Sequence, residues 1–152
     1  ITHGVAKAML FLGAGSVMHA TNGETDIRKM GGLRQKMPVT SLTFMIGALA
    51  LAGIPPLSGF WSKDEIILSI HQNLNPVFLI GFLIAATLSA LYMARVAIVV
   101  FLGKLKPENA HVHEAPLTMK IPLITLGILS IILGFVILPI LLPQNMFRLD
   151  GQ

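Results

Sequence analysis

The 152-residue sequence contains no cysteine, which excludes disulfide bonds and cysteine-ligated iron–sulfur clusters within it. Charged residues are also scarce, at 12% of the sequence, whereas soluble domains carry roughly 25%. The formal net charge is only +4. With so little polar surface, nucleic acid is a poor fit as a partner.

Long apolar runs take the place of the missing charges, and 54% of the residues are hydrophobic. The runs predict membrane-spanning segments at about 3–20, 39–72, 77–103 and 120–142. These segments are apolar all round, which is typical of helices in a lipid bilayer. We therefore predict an all-α transmembrane fold with about four spans in a single membrane domain, 1–152. The chain begins with Ile1 rather than Met, so we expect a piece of a longer polypeptide.

Basic residues alternate with the predicted spans. Loops 21–38 and 103–120 contain most of the lysine and arginine, whereas the connection "HQNLNP" contains none and the tail contains only Arg148. By the positive-inside rule, both basic loops face the cytoplasmic side of a bacterial-type inner membrane or its organellar equivalent. This arrangement requires segment 39–72 to cross the membrane once.

Segment 39–72 is too long for one straight span and contains its own interruption, "LAGIPPLSGFWSKDEIILS". Pro55 and Pro56 each remove a backbone donor and clash with the preceding turn. Ser62 followed by Glu65 has the spacing of a capping box, which is typical of a helix N-terminus. We predict a broken helix with a non-helical link at about 54–62. Discontinuous helices of this kind occur at ion sites in transporters.

Lys63 and Asp64 come directly after Ser62, the predicted N-terminus of the second half-helix. The positive end of the helix dipole and burial both disfavour a lysine ammonium, whereas the carboxylates of Asp64 and Glu65 favour it. A lysine balanced in this way is a candidate proton carrier. The alternative is that Ser62 to Glu65 lie at headgroup level and merely end a span.

Three other charged or titratable residues lie within apolar segments. His3 and Lys7 are four residues apart and therefore share a helix face, which makes them candidates for proton transfer. The alternative is that both extend to the membrane interface. Arg95 is permanently charged, so we assign it a structural or electrostatic role on a helix without a break.

The segment "HVHE", His111 to Glu114, contains residue types that bind metals. It lies in a polar region between Pro107 and Pro116, so we interpret it as a solvated loop and predict no metal site.

Three stretches, "THGVAKAMLFLGAGSVMH", "DIRKMGGLRQKMP" and "AGIPPLSGFWSKDEI", resemble the antiporter-like membrane subunit of respiratory complex I. This is the chain L family of NADH-quinone oxidoreductase, also called NADH dehydrogenase subunit 5. The resemblance covers residues 1 to about 105, and beyond that only the hydropathy is similar. "MGGL" and "GIPP" are shared with multisubunit sodium/proton antiporters, whereas "FWSKDEI" is more specific to the complex I chain.

The resemblance implies the C-terminal part of an antiporter-like fold, with a midplane line of lysines and histidines. Lys63 would be its terminal member, preceded by His3 and Lys7. It also implies a proton-translocating subunit of NADH:quinone oxidoreductase, with other membrane subunits as partners. NADH, flavin, iron–sulfur clusters and quinone are expected in those subunits, and no cofactor on this chain. The alternative is a subunit of a multisubunit cation (sodium)/proton antiporter.

Overall fold

The computed structural model describes residues 2–54, 57–73 and 76–146. Every regular element within these ranges is helical, which confirms the all-α fold class. The α-helices are α1 (Thr2–Ala20), α2 (Pro38–Ala52), α3 (Ser58–Asn73), α4 (Pro76–Ala97) and α5 (Leu117–Met146). Short 3₁₀ turns lie at Leu33–Gln35 and Pro107–Asn109, and α4 continues into a π-helical turn, Ile98–Leu102.

Two stretches of the described chain are long and apolar enough to cross a membrane, judged by length and composition. They are Pro76–Leu102, with 27 residues, and Leu117–Val136, with 20. By contrast, α2 and α3 have 15 and 16 residues, which corresponds to about 22 and 24 Å at 1.5 Å per residue. Since the hydrocarbon core is about 30 Å thick, neither half of the interrupted segment is long enough to cross alone.

Small residues bring α1 and α2 into close contact. A Cβ atom added at Gly13 would lie 2.9 Å from Cδ2 of Phe44, and one added at Gly47 would lie 3.1 Å from Cε of Met9. On α5, Gly127 lies against the sulfur of the same methionine. Close packing through small residues is the usual way in which transmembrane helices associate, and here it fixes α1, α2 and α5 against one another.

The two basic loops meet at one end of the helix bundle. The ammonium group of Lys106 donates to the carbonyl oxygen of Arg28, and the Asn109 amide donates to the carbonyl oxygen of Lys29 at 3.0 Å. Gly32, with a φ of 62°, lies directly against the backbone of Leu105. The loops therefore lie on the same end, as the charge pattern predicts. Which side of the membrane they face stays a prediction.

The main hydrophobic core lies next to these loops. The rings of Phe44 on α2 and Phe101 in the π-helical turn pack at a centroid distance of 5.2 Å. Leu33 and Met37, from the first loop, are completely buried in the same cluster. The core therefore anchors the loop end of α2, and the interrupted end of α2 lies at the opposite end of the helix.

A Schellman motif ends α2. The amide of Gly53 donates to the Ala50 carbonyl oxygen at 3.2 Å, and the amide of Ile54 donates to the Leu49 carbonyl oxygen at 3.1 Å. Gly53 has a φ of 81°, in the left-handed region that favours glycine. The helix thus ends at Ala52, two residues before the predicted position.

The second half of the segment begins earlier than predicted. Helix α3 starts at Ser58, so Ser62 lies inside it rather than at its N-terminus. The amide of Phe60 donates to the Leu57 carbonyl oxygen, a local turn that starts the helix upstream. The capping-box interpretation of Ser62 is therefore wrong, although the predicted interruption itself is present. Pro55 and Pro56 lie outside the described residues.

Candidate functional site

A cavity of about 360 Å³ lies beside the helix interruption. Residues from α1, α2, α3 and α4 surround it, and most of them are apolar. Its polar lining consists of Thr2 and His3 from α1 and of Ser62 and Lys63 from α3. The cavity therefore combines a titratable imidazole, an ammonium and two hydroxyl groups within an otherwise apolar setting. The sequence predicted two of these groups, His3 and Lys63, as members of one site.

Lys63 connects the two half-helices. Its Nζ donates to the carbonyl oxygen of Ala52, the last residue of α2, at 3.0 Å. The aliphatic part of the side chain lies over Gly53, where an added Cβ would be 2.8 Å from Cδ of Lys63. The last carbonyl groups of a helix lack partners within the helix. The lysine supplies one of these missing partners from across the link.

This contact corrects the electrostatic interpretation of Lys63. The capping-box pattern predicts a position in the first turn of the second half-helix, where the helix dipole opposes a positive charge. Because α3 begins at Ser58, Lys63 lies in the second turn, beyond the strongest field of the N-terminus. Its ammonium instead contacts the negative end of α2, which favours the charged form. Desolvation in the apolar cavity opposes this effect.

A short chain of hydroxyl groups lies at the same cavity. Thr2 Oγ1 donates to Ser62 Oγ at 3.1 Å, and Ser62 Oγ donates to the Gly59 carbonyl oxygen at 3.2 Å. Ser62 therefore links α1 to α3 instead of capping a helix. These hydroxyl groups are polar partners that water molecules in the cavity can also use.

His3 and Lys7 share a face of α1, as their spacing predicts, but they line different spaces. His3 lines the cavity that contains Lys63, whereas Lys7 lines a neighbouring groove together with Tyr92 of α4. Leu51 borders both spaces. The structure thus brings His3 and Lys63 to one cavity, and an apolar side chain lies between that cavity and the groove of Lys7.

Two other proposed site residues cannot be assigned contacts. Asp64 and Glu65 belong to α3, but their side chains lie outside the described set. The proposed role of Asp64 in proton transfer stays a prediction. The capping role of Glu65 is wrong together with that of Ser62, because Ser62 does not lie at the start of the helix.

Arg95 is exposed on α4 and forms no ion pair with any residue in the described ranges. The helix around it is not regular, because a π-helical turn begins at Ile98, three residues later. The π-helical turn continues the helix to Leu102, so the expectation of a helix without a break is confirmed. Such turns are rare and widen the helix locally.

We expect Arg95→Lys to retain most of the function of the parent membrane complex. Lysine preserves the positive charge at this exposed site. Among the described residues, Arg95 has no carboxylate partner that would require the two parallel hydrogen bonds of a guanidinium group. The measurement is proton translocation in membranes that contain the complete complex, with Arg95→Ala as the comparison. Loss as complete as that for a substitution at Lys63 would contradict an electrostatic role.

Sequence reasoning missed Glu114. It was assigned with His111 and His113 to a solvated loop, and the two histidines are indeed exposed. The Glu114 carboxylate, however, accepts hydrogen bonds from the first turn of α2, namely from the Val39 amide at 2.8 Å and from Thr40 Oγ1 at 2.6 Å. The local sequence offered little signal, because Glu114 lies between an exposed histidine, His113, and a buried alanine, Ala115.

A buried hydroxyl group on α5 was also missed. Ser130 is completely buried, and its Oγ has no hydrogen-bond partner among the described residues. Buried hydroxyl groups without partners are uncommon. The described residues contain no group of three or more histidine, cysteine, aspartate or glutamate side chains that could hold a metal ion.

Residues 1–89 match the family described as NADH:quinone oxidoreductase/Mrp antiporter, TM. The match covers more than half of the chain and includes the whole helix interruption. The chain belongs to this family. It is therefore an integral membrane protein, and the resemblance seen in the sequence is confirmed. Lys63, His3 and Lys7 all lie within the matched residues.

Individual relatives extend the match over nearly the whole chain. NADH-quinone oxidoreductase subunit L of Rickettsia bellii is 44% identical over 154 residues, covering 97% of this chain and 24% of the relative. NAD(P)H-quinone oxidoreductase chain 5 of Picosynechococcus sp. is 41% identical, covering 91% of this chain and 25% of the relative. The similarity thus continues beyond residue 105, the predicted end of the resemblance.

A solved structure shares the fold. A chain of the membrane-bound sulfane sulfur reductase (MBS), an archaeal respiratory membrane complex, matches with a TM-score of 0.82 and 31% identity, covering 88% of this chain and 22% of that chain. The antiporter-like fold predicted for this sequence is therefore confirmed. The chain spans about a quarter of the length of the curated relatives it matches.

Proposed function

We propose that this chain is the proton-translocating part of a membrane subunit in an NADH:quinone oxidoreductase. The observation that carries the proposal is the contact of Lys63 with the end of α2, in a cavity that also contains His3. Titratable side chains inside apolar membrane segments are costly and usually functional. A helix interruption lined by such groups is the arrangement found at ion sites in transporters.

The lysine is held between two opposing effects. The Ala52 carbonyl oxygen favours the ammonium form, and the apolar cavity lining disfavours it. A change in cavity hydration or in a neighbouring charge therefore alters the balance between the two forms. A coupling of about 1.4 kcal/mol is enough to change the proton occupancy tenfold. Lys63 can thus bind and release a proton without a large movement of the helices.

The proton path proposed here runs through three titratable side chains. Lys63 exchanges protons with His3 through water and the hydroxyl groups of Thr2 and Ser62, and Lys7 continues the path in the neighbouring groove. Asp64 modulates the charge of Lys63. For protons to pass between cavity and groove, the Leu51 side chain must move or water must pass around it.

The redox chemistry belongs elsewhere in this proposal. We assign no redox centre to this chain and expect NADH, flavin, iron–sulfur clusters and quinone in other subunits of the complex. Its partners are those membrane subunits and the surrounding lipid. Quinone reduction drives translocation through changes in the charge or hydration around Lys63. The basic loops, 21–38 and 103–120, are expected on the cytoplasmic side.

We expect His3→Ala to slow proton transfer through the chain by roughly 10²-fold, the typical contribution of a general acid–base group. The matched control is His19→Ala, because His19 is an exposed histidine at the other end of α1, next to the basic loops. The measurements are the rate of proton translocation and the number of protons translocated per electron pair, in vesicles containing the complete complex.

The same assay, repeated without sodium, separates the two candidate activities. Unchanged proton translocation without sodium is expected for the proposed function. A strict requirement for sodium would favour the cation/proton antiporter instead. If His3→Ala and His19→Ala both behave as the parent complex, then His3 is not part of the path.

A further inference from the structure

The N-terminus of α2 is held by a residue from a distant loop. Glu114 Oε2 accepts a hydrogen bond from the Val39 amide at 2.8 Å, across 75 positions of sequence. Its Oε1 accepts one from Thr40 Oγ1 at 2.6 Å. Met37, the residue at the N-cap position of α2, makes no side-chain capping bond. The cap of this helix therefore comes from the loop before α5.

The chemistry of the first turn explains why a carboxylate binds there. Pro38 occupies the first helical position and has no amide hydrogen, so Val39 carries the first free donor of α2. The amide end of a helix also attracts negative charge through the helix dipole. Glu114 satisfies both requirements with one side chain.

The other end of α2 is held by the opposite charge. Lys63 donates to the carbonyl oxygen of Ala52, the last residue of the helix. An anion at the N-terminus and a cation at the C-terminus both stabilise the dipole of α2. This short helix, with 15 residues, is thus fixed at each end by a charged side chain from a segment that follows it in sequence.

Between its ends, α2 is packed closely against neighbouring helices at three positions. Gly13 packs on Phe44, Gly47 packs on Met9, and Gly59 packs against the backbone of Ala50. Close contacts of this kind transmit strain from one helix to the next. We therefore expect a change at Val39 to shift the Ala52 carbonyl, which lies about 20 Å away along the helix at 1.5 Å per residue.

We propose that Glu114 is a positioning residue for Lys63, acting through α2. The carboxylate fixes the N-terminal turn of the helix and thereby the position of the carbonyl group that Lys63 contacts. This role rests on the proposed function of Lys63 in proton transfer. It also gives the loop 103–116 an influence on a site at the other end of α2.

The test is hydrogen–deuterium exchange of the complete complex, combined with proton translocation. In Glu114→Gln, we expect the amides of Gly53 and Ile54, which form the C-terminal cap of α2, to exchange about fivefold faster, the typical effect of losing a helix cap. The protons translocated per electron pair should fall by at least half of the loss seen with Lys63→Ala.

Glu24→Gln is the matched control. Glu24 lies at the same end of the bundle, and its contacts are loop amides and Lys29 rather than α2. The Asp26 amide and, next, the Lys29 ammonium lower the pKa of the Glu24 carboxyl. The substitution therefore also removes a full negative charge. Exchange at Gly53 and Ile54, and translocation, should match the parent complex.

Two further variants separate capping from simple loop contact. Pro38→Glu, added to Glu114→Gln, restores a carboxylate in the first turn of α2 from an exposed position. It should restore both slow exchange and translocation. Thr40→Val removes one of the two donors to Glu114 with little change in volume, so it should give a smaller change in the same direction.

The outcomes separate this inference from the proposed function. If Lys63→Ala leaves translocation unchanged, the proposed function fails whatever the exchange shows. If Lys63→Ala stops translocation while Glu114→Gln and Thr40→Val leave exchange and translocation at parent values, the positioning role alone fails. It also fails if exchange rises without a change in translocation, or if Pro38→Glu restores neither measurement.

Discussion

Gly59→Ala is expected to prevent α3 from packing against α2. A Cβ atom at position 59 would overlap the carbonyl oxygen of Ala50 and lie 2.8 Å from its carbonyl carbon. These are backbone atoms of a helix fixed by its own packing, so no side-chain rotation relieves the clash. Overpacking usually costs about 1–3 kcal/mol, and we expect the upper end of that range or more.

The measurement for Gly59→Ala is the amount and thermal stability of the membrane complex that contains the full-length variant chain. We expect little assembled complex. Gly81→Ala is the control, because Gly81 also lies within a helix, α4, and nothing lies within 4 Å of an added Cβ there. Normal assembly of Gly59→Ala with unchanged melting would show that α2 and α3 are not packed this closely.

Lys63→Ala is expected to abolish proton translocation through this chain while leaving the complex assembled. Alanine removes the titratable amine and also the partner of the Ala52 carbonyl oxygen. The Schellman motif at Gly53 still ends α2, so the cost in stability should not exceed about 1.5–3 kcal/mol, the range for a hydrogen bond to a charged group. The measurements are protons translocated per electron pair and, separately, the amount of assembled complex.

Lys36→Ala is the control for this substitution. Lys36 is an exposed lysine in the basic loop, far along the chain from the helix interruption. The substitution Lys36→Ala removes the same positive charge without changing the lining of the cavity, so translocation should stay at the parent value. If Lys63→Ala assembles normally and translocates as the parent does, Lys63 is only a helix cap at the membrane interface.

The sequence predicted the helix interruption but not its exact ends. The prolines and glycines identified the break. Gly53 followed two residues later by Pro55 is a recognised signal for a helix C-terminus, and it agrees with the observed end of α2 better than the predicted position does. The start of α3 was misplaced because Ser62 and Glu65 have the spacing of a capping box. Spacing alone could not show that a turn at Leu57 starts the helix one turn earlier.

The site was predictable where it depends on local spacing. His3 and Lys7 lie on one face of α1, as a separation of four residues requires. His3 lines the cavity and Lys7 lines the groove, and Leu51 of α2 borders both spaces. This separation depends on the packing of α2 against α1, so the sequence of α1 alone could not predict it. The interpretation of the Lys63 environment changed for the same reason, because its main partner belongs to the preceding helix.

The role of Glu114 could not be predicted from the sequence. Its partners, Val39 and Thr40, are 75 and 74 positions away, and the loop around it has the composition of an ordinary polar connection. Only the packing of the two basic loops on each other brings the carboxylate to α2.

Lys63→Arg tests the central claim most directly, because it separates capping from proton transfer. Arginine can donate to the Ala52 carbonyl oxygen, but it does not release its proton at any working pH. The measurement is protons translocated per electron pair in vesicles with the complete complex, at equal assembly. We predict that Lys63→Arg assembles like the parent complex and translocates as poorly as Lys63→Ala. Translocation at the parent value by Lys63→Arg would contradict the proposal that this residue carries protons.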